Sequence, residues 1–133
     1  MPYLRVRIAS PKTTVTAQKV AAMFTQLAVD KLGKAGPVAA VDVHFTDPNE
    51  WFIGAKSVAE TNETSFFVEI KITESTNSRD DKAAFVKATF EQMSQLFPNI
   101  ASTSYVVLQD VASDSWGYGG KTQEFRYITG DAN

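Results

Sequence analysis

Residues 116–121 read WGYGGK, and residues 51–56 read WFIGAK. At an offset of 65 residues the two segments align, with tryptophan on tryptophan, glycine on glycine and lysine on lysine. The apolar residues that precede them also align, with Val41 on Val106. Self-similarity of this kind predicts that the fold is a tandem repeat of one supersecondary unit.

The repeated unit starts with a β-strand. Between residues 2 and 10, apolar and polar side chains alternate, which is the period of a strand with one apolar face. After Thr14 or Thr16, either of which can cap a helix, the apolar residues change to helical spacing, and Gly33 ends the helix. Residues 41–46 then alternate again. The unit is therefore βαβ, and its two strands are expected to run parallel.

The second copy has the same order of elements. Residues 66–73 alternate as a strand, and Ser78 and Asp81 have the spacing of a capping box at the start of a helix. Pro98 closes that helix, and residues 105–110 form a fourth strand.

The predicted architecture is a single α+β domain over residues 1–133. It comprises repeat one at residues 2–60, repeat two at residues 64–122 and a C-terminal tail at residues 123–133. Two βαβ units build a two-layer sandwich, a four-stranded mixed sheet with two helices on one face. The other face carries charges of both signs, so we expect it to be solvated or to form a polar interface between copies of the sheet.

Composition excludes several classes of function. The 133 residues contain 13 Lys and Arg against 15 Asp and Glu, with a pI near 5.3, which argues against binding to nucleic-acid phosphates. There is no apolar run long enough to span a membrane and no secretory signal, so we expect a cytoplasmic protein. There is no cysteine, and His44 is the only histidine, which argues against a metal site.

Three features together resemble the tautomerase superfamily. These are Met1-Pro2 at the start of the first strand, two tandem βαβ units, and the aromatic–glycine segments at residues 51–54 and 116–120. The most similar members are the cis-3-chloroacrylic acid dehalogenase group, fused 4-oxalocrotonate tautomerases, malonate semialdehyde decarboxylase and macrophage migration inhibitory factor. The resemblance implies a homotrimer around a central barrel, no cofactor, and a small carboxylate as substrate. It also implies that Pro2, freed by removal of Met1, is the general acid/base.

The resemblance also suggests which basic residues bind substrate. Arg79 follows the third strand, where dehalogenase-like relatives have an arginine that binds the substrate carboxylate. Lys12 lies in the equivalent loop of repeat one, and Lys34 resembles the lysine that relatives of migration inhibitory factor place beside the proline. The alternative for all three is an exposed basic residue with no role in the site.

Aromatic residues of the second glycine-rich segment resemble the pocket wall of the family. Trp116 and Tyr118 are expected to exclude water from the amine, or alternatively to pack at a trimer interface. Ala40 and Tyr105 stand where 4-oxalocrotonate tautomerase has an arginine, and Glu74 stands near one arginine of the dehalogenase pair. A monocarboxylate enol such as phenylenolpyruvate is therefore a better candidate substrate than a dicarboxylate.

The sequence predicts a keto–enol tautomerase and leaves two alternatives open. One is dehalogenase, hydratase or decarboxylase chemistry on the same fold; the water-activating acid of a dehalogenase could only be Asp110 or Asp114. The other is a non-catalytic ligand-binding or assembly module, since a βαββαβ order also describes ferredoxin-like domains.

Overall fold

The fold is built around one four-stranded sheet and two long helices. The computed structural model describes residues 1–130. In chain order the elements are β1 (Tyr3–Ala9), α1 (Ala17–Leu32), β2 (Ala40–Phe45), β3 (Phe52–Ile53), β4 (Lys56–Ser57), α2 (Val58–Thr61), β5 (Ser65–Thr73), α3 (Arg79–Leu96), β6 (Tyr105–Val111), β7 (Gly117–Tyr118), β8 (Lys121–Thr122) and α4 (Gln123–Ile128).

The sheet confirms the predicted tandem βαβ repeat. Its strand order is β2-β1-β5-β6; β1 and β5 pair antiparallel at the centre, and each pairs in parallel with the other strand of its own repeat. The α+β class and the mixed sheet are therefore as predicted. The antiparallel centre relates the two repeats by an approximate twofold, so that corresponding parts of the repeats lie at opposite ends of the sheet.

Local signals in the sequence determine where the two long helices begin and end. The hydroxyl of Thr16 accepts a hydrogen bond from the Lys19 amide at 3.2 Å, which makes Thr16 the cap of α1. Ser78 and Asp81 form the predicted capping box of α3, at 3.0 and 3.1 Å. Gly33, with φ of 65°, takes the left-handed conformation that ends α1.

The core lies between the helix layer and one face of the sheet. Its fully buried members alternate along the central strands and repeat at helical spacing along α1 and α3: Leu4, Val6, Ile8, Val20, Phe24, Phe66, Val68, Ile70, Ile72, Phe85 and Met93. The strand positions are those that alternation predicts. On α3 the helical spacing predicts Val86, Phe90, Met93 and Phe97 as the apolar stripe; Met93 and Phe97 are buried, whereas Val86 and Phe90 are 40% and 37% exposed and Phe85 is buried instead. None of the helices within residues 1–130 has the length and apolar character needed to cross a membrane.

Each repeat also contains a two-residue hairpin followed by a short helix. The turns lie at Gly54-Ala55 and at Gly119-Gly120, and all four residues have positive φ, the geometry of the tight turns that follow strand twist. The hairpins match the glycine-rich segments of the sequence. Residues 123–128, part of the expected C-terminal tail, form the helix α4, whereas residues 131–133 lie outside the described part of the chain.

Candidate active site

The sheet topology brings the amino terminus to the ends of two other strands. Tyr3 at the start of β1 pairs with Lys71 near the end of β5, because the two strands are antiparallel. Thr73 at the end of β5 pairs with Val111 at the end of β6. One edge of the fold therefore gathers the chain terminus with the loops that follow β5 and β6.

A cavity of about 460 Å³ opens at this edge. It is lined by residues from the terminus, the end of α1, the turn after β5, the loop after β6 and α4: Met1, Leu32, Gly33, Lys34, Thr73, Glu74, Ser75, Thr76, Ser113, Gln123 and Tyr127. Both apolar and polar side chains line it. Such a mixture suits a small organic acid better than a purely apolar ligand.

The terminal amine lies in this cavity. Met1 is 6% exposed, and it separates the buried Pro2 from the cavity. Burial, with a smaller effect of the positive charge of Lys34, lowers the pKa of the Met1 amine from 8.0 to about 6. An amine in this position is therefore mainly neutral at pH 7, the form in which it can accept a proton.

Lys34 is the basic side chain of the cavity among the described residues that line it. The αL turn at Gly33 directs the chain into the cavity, and the Lys34 amide donates to the carbonyl of Ala28 at 3.1 Å. Its Nζ donates to the hydroxyl of Thr76 at 2.9 Å. Burial lowers the pKa of Lys34, and the carboxylates of Asp110 and Asp81 partly offset that effect.

A small network holds the two loops around Lys34 together. The side-chain amide of Asn77 donates to the carbonyl of Leu32 at 2.9 Å, which ties the turn after β5 to the end of α1. The same amide donates to Asp81 at 3.3 Å. Hydrogen bonds from the backbone of Ser78 and from Asn77 lower the pKa of Asp81. The carboxylate that caps α3 therefore also helps to fix one wall of the cavity.

The structure brings two of the six sequence-predicted residues together at this edge. Lys34 lines the cavity, and Pro2 follows Met1 in the chain, with its carbonyl accepting from the Ala40 amide at 3.1 Å. Trp116 does not line the cavity itself. Its indole Nε1 donates to the hydroxyl of Thr73, a residue of the cavity wall, at 3.2 Å.

The other three predicted residues do not line the cavity of a single chain. Arg79 is exposed as the first residue of α3, since the capping box at Ser78 fixes the start of the helix there. Tyr118 packs under the guanidinium of Arg126, 3.9 Å from the ring centroid, and its carbonyl accepts from the same group. Lys12 is exposed beyond the far end of β1, at the opposite edge of the sheet from Pro2.

Sequence reasoning missed the residues that α4 and the loop after β6 contribute. Gln123 is 6% exposed, and Ser113 and Tyr127 join it in the cavity wall. The repeat offset contains a signal for Gln123, because that offset places a glutamine where the first repeat has Val58. No comparable signal marks Ser113 or Tyr127.

Comparison with known proteins bears on this arrangement. Residues 67–126 match the family model described as "Tautomerase enzyme". This stretch runs from β5 into α4 and includes the turn after β5, the loop after β6 and Gln123, all of which contribute to the cavity wall. The second repeat of the chain, with the helix that follows it, is therefore similar to the tautomerase family. The curated protein sequences contain no match to it.

Several solved structures share the fold of this chain. The "Q0 fused 4-OT wild type symmetric trimer" has a TM-score of 0.78 at 14% identity, over 92% of this chain and 97% of that one. Pt0534 inactivated by 2-oxo-3-pentynoate has a TM-score of 0.74 at 14% identity, over 90% and 94%. A macrophage migration inhibitory factor homologue from Prochlorococcus marinus has a TM-score of 0.72 at 16% identity, over 90% and 97%.

Proposed function

We propose that this protein, once Met1 is removed, is a keto–enol tautomerase that uses the secondary amine of Pro2 on a small 2-oxo carboxylic acid. One observation carries the proposal. The chain terminus lies in a cavity beside Lys34, in surroundings that lower the pKa of the terminal amine to about 6. Efficient acid/base catalysis needs a group whose pKa lies near the working pH.

Removal of Met1 would leave the Pro2 amine at the cavity wall. Met1 is bonded to the Pro2 nitrogen and lines the cavity, so its loss enlarges the cavity and uncovers that nitrogen. The two causes that lower the pKa of the Met1 amine are burial and the charge of Lys34. Both act in the same direction on a Pro2 amine at this edge of the sheet.

Lys34 supplies the positive charge that a carboxylate substrate needs. It donates to Thr76, so its ammonium group is held within the cavity wall. In the proposed reaction Lys34 binds the carboxylate while the neutral amine takes a proton from carbon 3. The resulting ammonium then delivers a proton to the carbonyl oxygen, so the reaction is a proton shift with no net change in composition.

The substrate class receives support from a structural neighbour. Pt0534 is inactivated by 2-oxo-3-pentynoate, which is itself a small 2-oxo acid. Arg79, Trp116 and Tyr118 remain predicted substrate-binding residues, Trp116 through its contact with Thr73 in the cavity wall. Lys12 could reach a site that contains Pro2 only from another protomer.

A homotrimer is part of the proposal. The Q0 fused 4-OT, which shares the fold of this chain, is a symmetric trimer. On this chain, the sheet face opposite the helices exposes Tyr105 and Val107, at 63% and 40%, beside charged strand residues. An exposed face with apolar and paired charged residues fits an interface between copies of the sheet.

The test compares two forms of the protein that differ only at the terminal amine. The chain is prepared behind a cleavable leader, assayed with phenylenolpyruvate before and after cleavage to Pro2, and checked by intact mass. We expect turnover only after cleavage, and a loss of about 10²–10⁴-fold in Pro2→Ala, the range for general acid/base catalysis. Equal turnover before and after cleavage, or unchanged turnover in Pro2→Ala, would rule the proposal out.

A further inference from the structure

The second repeat has a polar residue where the first repeat has an apolar one. Val58 and Gln123 are the first residues of α2 and α4. Their backbone amides make the same hydrogen bond, to the carbonyl of Trp51 at 2.9 Å and of Trp116 at 3.0 Å. The two positions are therefore equivalent in three dimensions as well as in sequence, and Val58 is fully buried.

Gln123 is buried, and the oxygen of its side-chain amide lacks a hydrogen-bond donor. It is 6% exposed, and within residues 1–130 its Oε1 has no hydrogen-bond partner. A buried acceptor that has lost water and gained no donor destabilises the folded protein. A valine, as at position 58, would avoid that cost, so packing alone does not explain the glutamine.

The unsatisfied amide belongs to the wall of the candidate active site. Gln123 and Lys34 both line the cavity that contains the terminus. Met1 lines the same cavity, so removal of Met1 enlarges the cavity that Gln123 lines. The glutamine side chain also has three rotatable bonds, through which its amide can turn toward a ligand.

We propose that Gln123 accepts a hydrogen bond from a hydroxyl group on carbon 2 of the bound acid, so that the site prefers 2-hydroxy and enol acids to acids without that hydroxyl. The proposal deepens the function given above and rests on it. An amide oxygen is an acceptor, so the group it lacks is a donor. The carbonyl of a 2-oxo acid offers no donor, whereas the hydroxyl of its enol does. Once the proton has reached the oxygen, Gln123 would hold the enol in place beside Lys34.

Two unreactive acids of matched shape test this preference. Isothermal titration measures binding of 3-phenyllactate, which has the hydroxyl on carbon 2, and of 3-phenylpropanoate, which lacks it. With the processed protein we expect about tenfold tighter binding of 3-phenyllactate, the effect of one additional hydrogen bond. Gln123→Met should bring the two affinities together by weakening only 3-phenyllactate.

A measurement on the ligand-free protein separates this role from a structural one. Because Gln123→Met removes an unsatisfied buried oxygen, its melting temperature should equal or exceed that of the parent protein. A residue that served packing alone would lose stability on substitution and leave the preference between the two acids unchanged. Gln18→Met, at an exposed position of α1, is the matched control and should change neither quantity.

The outcomes distinguish this inference from the proposed function. Pro2→Ala should lose turnover and keep the preference for 3-phenyllactate, so a failure of catalysis and a failure of recognition appear in different measurements. A preference that survives in Gln123→Met overturns the inference, as does a parent protein that binds both acids equally. If neither acid binds, the 2-hydroxy acid site is overturned as well.

Discussion

At the scale of single residues, the candidate site depends on one lysine and one amine held close together. Burial and, to a smaller extent, the charge of Lys34 lower the pKa of the amine, and the same charge is available to a substrate carboxylate. In the proposed reaction, substrate binding and base strength are therefore coupled through a single side chain. When a carboxylate neutralises Lys34, the amine loses part of the effect that lowered its pKa and becomes a stronger base toward the bound acid.

Substitution of Lys34 should raise the pKa of the amine. In Lys34→Met the charge is absent and the burial remains, so the pKa of the Pro2 amine should move upward toward the usual value near 8. Because the base acts in its neutral form, kcat/KM rises with pH through that pKa, and the rising limb should shift to higher pH. KM for the acid should also rise. The pH profile of kcat/KM and an NMR titration of the labelled amine are the measurements.

A control separates this local effect from a general change in net charge. Lys31→Met removes a positive charge three residues away, at an exposed position of the last turn of α1. It should leave both the pH profile and KM unchanged. If Lys31→Met and Lys34→Met shift the profile equally, Lys34 does not act through its position in the cavity.

The sequence marked Lys34 directly, whereas for Gln123 it held only the indirect signal of the repeat offset, and the difference has physical reasons. Lys34 follows Gly33, a helix-ending signal that is local and visible in the chain, and a family resemblance marked it as a candidate. The importance of Gln123 comes from its burial and its missing donor, which depend on the tertiary packing of α4. Arg79 shows the reverse case, since the capping box that the sequence reveals also fixes that residue in an exposed first turn.

At the scale of elements, the long strands and helices were predictable and the short ones were not. Alternation and capping residues define β1, α1 and α3 to within a residue or two, because those signals are local and are read over many positions. The helix α4 has six residues, too few to show a helical period. It forms because Thr122 caps it and the hairpin before it fixes its direction.

The paired hairpins allow a prediction about stability. Ala55 occupies the position that Gly120 has in the second repeat, and both have positive φ, at 66° and 78°. A side chain in this conformation costs roughly 1–2 kcal/mol, and glycine avoids that cost at some expense in unfolded-state entropy. Ala55→Gly should therefore increase the free energy of unfolding by up to about 1 kcal/mol, and Gly120→Ala should decrease it by a similar amount.

Urea denaturation at a fixed protomer concentration measures both changes. A shift of the midpoint at constant slope reports stability, and a fixed concentration removes the contribution of assembly. The two substitutions are each other's control, since they exchange the same pair of residue types in equivalent turns. If the urea midpoint moves in the same direction in both variants, the two turns do not carry equivalent strain.

At the scale of the whole molecule, two residues that were both predicted to belong to the site, Pro2 and Lys12, lie at opposite edges of the sheet. Arg5 pairs across strands with Asp42 and Glu69, so the charges on the open face are balanced within a chain and suit a surface shared between copies. Pro2 lies at one edge of the sheet, and Lys12 lies beyond the opposite end of β1. The proposed homotrimer offers Lys12 the only route to a site that contains Pro2.

Complementation between two defective variants tests that arrangement. If Lys12 binds substrate in a site with Pro2, Lys12→Ala should raise KM about tenfold or more, which corresponds to loss of one charge-assisted contact. Pro2→Ala and Lys12→Ala protomers are unfolded together and refolded. Sites that combine Pro2 from one protomer with Lys12 from another would then regain the low KM of the parent protein, although neither variant shows it alone. Light scattering of each preparation tests whether the assembly is a trimer, which would have three times the 14.6 kDa of one chain. Full activity in Lys12→Ala alone would exclude Lys12 from the site. A Lys12→Ala defect that mixing does not relieve would contradict a site shared between protomers.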